Sequence, residues 1–322
     1  MLGGLYPPEL DQVDIGEMVH TGGGSFITGE LRSIDHATRT ITLDDGTSLL
    51  FDVLSISVGS MCRPIPGENE RCYSVKPIER LAGLRHDLEL DFTHTRATPA
   101  VIAVAGGGVT AFEIAGNIRA LADRHDSPCN ITILCGSQQP LRDLPDGAAH
   151  RVLNNFLDRG IHIETDSKVR KICGRHATLS DGRRFRFDYF VNATGLIPNT
   201  SGIDLQLSLD SSGGIRVDDT LRALGFANVF AVGDCASFES RPLPKIGVFA
   251  IRQAPVLFHN IKALLERAVL RRFAPQRKFL SIVTLGDGNG LATRGSHWWY
   301  GRSAFLLKDW IDRRFLKSVR SR

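Results

Sequence analysis

No stretch of this chain approaches eighteen consecutive apolar residues, so no segment is expected to cross a membrane as a helix. The opening MLGGLYPPELDQVD lacks the apolar core of a secretory signal, and the expectation is a cytoplasmic protein. Cysteine is scarce and ungrouped. Cys62, Cys72, Cys129, Cys135, Cys173 and Cys235 form no CxxC pair and match no tetrahedral metal spacing, so free thiols are expected and metal is not. Charge of one sign is not concentrated either. Lys and Arg total 39 against 35 acids, a net charge of +4 spread along the chain, which argues against a nucleic-acid partner. Glycine is what the sequence has in quantity, 32 of 322 residues, and glycine is what nucleotide-binding turns consume.

An internal repeat organises the chain. TLDDGTSLLFDVLSISVG begins at Thr42, and TLSDGRRFRFDYFVNATG begins at Thr178, an offset of 136 residues. Thr42, Leu43, Asp45, Gly46, Phe51, Asp52 and Gly59 meet Thr178, Leu179, Asp181, Gly182, Phe187, Asp188 and Gly195. Each Asp-Gly is a hairpin signal between alternating strands. The second copy follows AVIAVAGGGVTAFEIA, a dinucleotide-type turn, and the first copy has no such turn. The offset places the missing glycines about thirty residues before Met1, so two dinucleotide domains are implied and the chain is expected to be N-terminally incomplete.

Between the repeats the pattern alternates strand and helix. Residues 1–24 read as a glycine- and proline-rich loop. SFITGELRSI, TRTITL and FDVLSIS read as strands, and PIERLAGLRHDLELDF as a helix. A strand at 100–105, a helix at 109–123, a strand at 130–135 and a helix at 147–159 ending on Gly160 follow. Later come a helix at 251–268 and an appended region from 276.

The glycine turn carries the most local chemistry. Gly106, Gly108 and Ala111 fall in G-x-G-x-x-A spacing after an apolar strand and at the start of a helix, with Gly107 between the two glycines. Gly106 would make the tight turn, Gly108 would let a pyrophosphate approach, and Ala111 would let helix pack on strand. The acidic ribose anchor belongs at the end of the next strand, where the sequence reads Cys135, Gly136, Ser137, Gln138 and Gln139. No acid stands there, Arg142 is near enough to meet a 2′-phosphate, and NADH versus NADPH stays open. Glu113 lies one turn into the helix, either as a charge at the amide end or as a functional acid.

VAGGGVTAFEIA, FRFDYFVNATGLIPN, VFAVGDCASF and LPKIGVFAIRQAPVLFHNIKALL together resemble the FAD-dependent pyridine nucleotide-disulfide oxidoreductase superfamily, and within it the type II NADH dehydrogenase branch. LSIVTLGDGNGLATRG and LKDWIDRRFL resemble the tail of the oxidoreductase module fused ahead of selenide, water dikinase. The resemblance implies an α/β fold of two Rossmann-like, three-layer ββα domains, the NAD(P) domain inserted in the FAD domain. It divides the chain into 1–96 and 200–275 for FAD, 97–199 for NAD(P), and 276–322 as an appended region. It implies FAD and NAD(P)H as cofactors. Gly233 and Asp234 would meet the FAD ribityl or pyrophosphate, and Ser57, Gly59 and Ser60 would occupy the related turn of that half. Lys245, Gly247, Val248, Ala250, Arg252 and Gln253 would lie near the isoalloxazine. Thr194 and Gly195 would edge the nicotinamide domain, and Glu113 would face the seam between the cofactors. Glu113, Lys245 and Arg252 are the residues this assigns to catalysis. The family's first glycine turn and its redox-active disulfide pair are both absent from the sequence.

The implied activity is hydride transfer from NAD(P)H to FAD, then electron release to a small acceptor such as a quinone. A reductase linked to thiols, selenium or sulfide through Cys62 or Cys235 is the alternative, as is an inactive nucleotide-binding scaffold or truncated product. A functional link to selenide, water dikinase belongs to the same resemblance. In the tail, Phe305, Trp310, Ile311, Phe315, Leu316 and Val319 stand among Lys308, Arg313, Arg314, Lys317 and Arg320. That stripe suits packing on the FAD domain, a homodimer contact, or peripheral contact with the inner face of a membrane.

Overall fold

The computed structural model describes residues 2–6, 12–94, 97–239 and 241–320. The chain forms two compact units. Unit 1 comprises residues 1–22, 62–195 and 278–322, and unit 2 comprises 23–61 and 196–277. In unit 1, α1 (Ile15–Thr21) corrects the loop expected there: the Asp14 carboxylate accepts from the Glu17 amide at 2.9 Å and caps a short helix.

Unit 2 opens with β1 (Leu31–Asp35), β2 (Thr40–Leu43) and β3 (Ser48–Leu50), an antiparallel three-stranded sheet. β4 (Leu54–Ile56) and β5 (Ser60–Cys62) follow.

Unit 1 resumes with β6 (Cys72–Ser74) and α2 (Glu79–Thr93), then β7 (Ala100–Ala105), α3 (Val109–Arg124) and β8 (Cys129–Leu134). α4 (Asp146–Asp158) leads to β9 (Ile161–Glu164). β10 (Val169–Cys173), β11 (His176–Leu179) and β12 (Arg184–Arg186) form a second antiparallel sheet, and β13 (Tyr189–Asn192) closes the insertion. The central sheet is parallel with order β6-β13-β7-β8-β9. β7 and β13 are apolar nearly throughout because both faces are covered. Phe112 of α3 meets Phe156 of α4 with ring centroids 5.1 Å apart. Antiparallel sheet, parallel sheet and helices make the expected three layers.

The repeat is visible bond by bond. Thr40, Ile41 and Thr42 face Leu50, Leu49 and Ser48, while His176, Ala177 and Thr178 face Arg186, Phe185 and Arg184. Leu43 donates to Thr47 O and Leu179 to Arg183 O, both at 2.9 Å. Gly46 and Gly182 have φ of +86° and +88°, a backbone region that glycine enters freely. β13 lies between two parallel neighbours, whereas β4 pairs, among the described residues, with one.

The chain returns to unit 2 with β14 (Leu196–Pro198), β15 (Ile215–Val217), β16 (Val229–Ala231) and β17 (Ala236–Phe238). β16 runs parallel to β4, and β17 parallel to β15. α5 (Gly247–Leu265) starts four residues before the expected 251. The tail then rejoins unit 1 as β18 (Ser281–Thr284), β19 (Gly290–Arg294), β20 (His297–Gly301) and α6 (Arg302–Arg320).

Residues 62–96 and the tail from 278 both group with unit 1. Residues 62–96 go with unit 1 because β6 pairs with β13, Cys72 beside Phe190. The tail goes there because residues 284–286 grip α3: Arg159 donates to Leu285 O at 2.6 Å and to Gly116 O at 2.9 Å. The apolar stripe of α6 is split. Phe305 and Leu316 line a cavity of unit 1, while Trp310, Ile311 and Phe315 are exposed. Among the described residues no helix is long and apolar enough to cross a membrane.

Candidate functional site

In unit 1, β7 delivers the chain into the glycine turn. Gly106 donates to Leu134 O at 3.0 Å and holds φ at +146°, and a Cβ on it would stand 2.4 Å from Ala193 O. A Cβ on Gly107 would meet Cys135 Sγ at 2.3 Å. Gly108 is different. It heads α3 with no side-chain cap, and a Cβ there would have no atom within 4 Å. The inner side of the turn is therefore closed by protein and the outer side is open. Ala111 is fully buried under the turn and donates to Gly108 O at 3.0 Å. An open, uncapped helix start at the carboxyl end of a parallel strand fits a dinucleotide's pyrophosphate.

Thr194 and Gly195 are brought beside this turn, because Ala193 donates to Ala105 O at 2.8 Å. Asn192 fixes them. Its Oδ1 accepts from Thr194 Oγ1 at 2.8 Å, and its Nδ2 donates to Arg63 O at 2.9 Å and Glu68 Oε1 at 2.8 Å. No sequence motif points to Asn192. The available signal was an amide ending an otherwise apolar strand.

Glu113 does not cap its own helix. Its Oε1 accepts from Thr284 N at 3.0 Å and Thr284 Oγ1 at 3.2 Å, on β18 of the tail. It forms one wall of a cavity of about 790 Å³ whose other walls include Ile78, Leu81, Ile114 and Phe305.

Unit 2 assembles the other expected residues. Ser60 Oγ donates to Asp234 Oδ2 at 2.7 Å, next to Gly59 with φ +72°. Gly233, φ +71°, donates to Oε1 of the buried Gln253 at 2.6 Å. Lys245 Nζ donates to Asp234 O at 2.6 Å. Gly247 and Val248 open α5, which has no side-chain cap. Nη1 of Arg252 is buried and finds no acceptor among the described residues. An orphaned guanidinium nitrogen in the helix turn that also carries Gln253 fits a bound group rich in acceptor oxygens, as FAD is.

A family model for pyridine nucleotide-disulphide oxidoreductases matches residues 16–256. The chain belongs to this family. The NADH dehydrogenase-like protein Rv1812c of Mycobacterium tuberculosis is 27% identical over 235 residues, covering 70% of this chain and 58% of that protein. The ferredoxin–NAD(+) reductase component of the p-cumate 2,3-dioxygenase system of Pseudomonas putida is 29% identical, covering 63% of this chain and 48% of its own. This chain thus spans about half the length of these relatives. Putidaredoxin reductase in its covalent complex with putidaredoxin has a similar fold, with TM-score 0.71 at 20% identity over 91% of this chain and 70% of that one.

In this family member four of the buried thiols sit where the thiolate is disfavoured. Burial pushes the thiols of Cys62, Cys72 and Cys235 up from their ordinary value, and that of Cys129 up to about 11. Cys235 donates to Val232 O at 3.2 Å and Cys62 to Asn192 O at 3.4 Å. Only the thiolate is nucleophilic. Native protein at neutral pH is therefore expected to take up iodoacetamide at exposed Cys173 and nowhere else on the minutes timescale. Peptide mass mapping checks this, and rapid labelling of Cys62 or Cys235 would contradict it.

Proposed function

We propose that the chain is an FAD-dependent NAD(P)H oxidoreductase that delivers electrons to a small acceptor such as a quinone. The observation that carries this is the open, uncapped Gly108 start of α3 within a chain of this family. When bound, the flavin accepts a hydride from NAD(P)H and releases two electrons to the acceptor.

The chain's own residues have binding and electrostatic tasks. The amides that open α3 face the dinucleotide's phosphates, and Gly106 and Ala111 keep the turn tight enough for that approach. Asn192 orders Thr194 and Gly195 at the same edge. Glu113 is a carboxylate fixed by Thr284 on the wall of the cavity beside α3. In unit 2, Asp234 accepts from the ribityl side, while Lys245 and Arg252 put positive charge where the ring takes up electrons. Cys62 and Cys235, held as neutral donors, have no part in this chemistry.

The test is anaerobic mixing of the flavin-loaded full chain with NADH or NADPH. The visible flavin absorbance should bleach, then return on adding a short-chain quinone. No bleaching with either nucleotide defeats the proposal. A selenium compound and a ferredoxin are acceptors to run beside the quinone. The first answers the tail's likeness to the kinase-fused module, the second the Pseudomonas putida relative.

Asp234→Ala is expected to weaken FAD by about 1.5–3 kcal/mol, the range for a hydrogen bond to a charged group, and to leave NAD(P)H affinity unchanged. Flavin titration of both proteins measures it, and equal FAD affinity removes Asp234 from the site.

A further inference from the structure

The adenosine end of the proposed dinucleotide site is chemically distinctive, and the inference drawn from it rests on the reading that the glycine turn holds a nicotinamide dinucleotide. An acidic side chain at the end of the second strand receives the ribose 2′-hydroxyl of NADH, and a cation in its place receives the 2′-phosphate of NADPH. Here the second strand, β8, runs into Cys135. That residue is fully buried, with its Sγ pressed under Gly107 and 3.5 Å from Ser137 Oγ. A carboxylate is thus missing from the position, and the neighbouring chain supplies two cations instead.

The first is Lys168. Ser167 N donates to Cys135 O at 2.7 Å, and Ser180 N donates to Lys168 O at 2.8 Å, so the backbone on both sides of Lys168 is pinned. Its stem lies along Gly136, where a Cβ would stand 3.2 Å from Lys168 Cβ. Lys168 is exposed and pairs with no carboxylate among the described residues. The second is Arg142. Leu141 N donates to Gly107 O at 2.7 Å, which folds the loop after β8 back onto the glycine turn and leaves Arg142 beside it. Arg142 is 74% exposed, and its nearest carboxylate, on Asp143, is 4.0 Å away.

The acids close by are otherwise engaged or exposed. Glu164, at the end of β9, is held by Arg183 Nη1 at 3.0 Å and also accepts from Ser167. Asp181 is held by Arg183 Nε at 2.5 Å. Asp166 is exposed on the same segment, its amide donating to Ser137 O at 3.3 Å, and is the carboxylate a rival reading would use.

We propose that this unit selects NADPH over NADH, with Lys168 and Arg142 receiving the 2′-phosphate beyond the end of β8. A doubly charged phosphate gains charge-assisted hydrogen bonds from both, whereas NADH offers them only a neutral hydroxyl.

Equilibrium titration of the full chain with NADPH and with NADH, followed by nucleotide fluorescence, tests this without turnover. NADPH should bind at least about tenfold more tightly, and 2′,5′-ADP should compete better than 5′-ADP. Lys168→Ala should cost NADPH about tenfold and leave NADH unchanged, and Lys168→Glu should reverse the order. Lys168 is exposed, so these variants keep the fold, and circular dichroism verifies it. Equal affinities, or tighter NADH binding that Asp166→Ala abolishes, would overturn the selectivity while leaving the dinucleotide reading intact. Binding of neither nucleotide would remove that reading as well, and the selectivity with it.

Discussion

Gly108→Val is expected to lower NAD(P)H affinity at least about a hundredfold, close to 3 kcal/mol, while the chain stays folded. The two halves of that expectation come from one geometric fact. A side chain at Gly108 meets no protein atom within 4 Å, so valine projects into the open space where the pyrophosphate is proposed to lie. Its backbone, φ −90° and ψ 171°, is one that any residue adopts. Losing a glycine from a helix start costs about 1 kcal/mol or less. Gly106→Val is the control with the opposite signature. It forces a Cβ to 2.4 Å from Ala193 O at φ +146°, and should cost about 4 kcal/mol of stability. Urea unfolding and nucleotide titration on both variants separate the cases. Tight nucleotide binding by Gly108→Val would mean that the open side of the turn is not the phosphate side.

Gly286→Ala is expected to release the tail from α3 at a cost of about 3–4 kcal/mol. Gly286 has φ +79°, and its Cβ would stand 2.1 Å from Gly116 O. Gly116 faces it in turn, with a Cβ position 2.3 Å from Leu285 O. Backbone meets backbone here, so no side chain can move aside. Arg159 bonds both carbonyls, and its burial lowers the guanidinium's pKa. Gly288→Ala provides the comparison. Its φ is +77°, but nothing lies within 4 Å, so only the backbone cost of about 1 kcal/mol applies. Urea unfolding gives the two values, and limited proteolysis should cut the tail faster in Gly286→Ala alone. Equal losses in the two variants would show that strain, not contact, sets the cost.

The elements read from local pattern stand where the sequence put them. β7, α3 and β8 match the expected strand, helix and strand to within a residue, because apolar period and glycine spacing are written in consecutive residues. The hairpins match for the same reason: Asp-Gly decides the turn by itself. What the sequence did not disclose is long-range. The pairing of β6 with β13 joins residues far apart in the chain, and nothing in CYS or YFVN names the other. The partner of Glu113 is Thr284, and the partners of Arg183 include Glu164 and Ser167. Such bonds depend on how elements dock, which periodicity does not encode. Asn192 and the orphaned Arg252 nitrogen are of this kind: residue types visible at once, environments visible only after folding.

The two Asp-Gly hairpins show how a copied piece of chain acquires new work. Thr47 and Arg183 hold the same place, just past the turn, and each donates its amide to the turn aspartate. The same backbone bonds close both hairpins whichever side chain stands there. In the first copy it is a threonine. In the second an arginine there reaches Asp181, Glu164 and Ser167, tying the hairpin tip to the segment that carries Lys168. The second tip thus braces the segment after β9 as well as reversing the chain. The same backbone turn therefore carries a side chain that stays local in one half and one that ties down a neighbouring segment in the other.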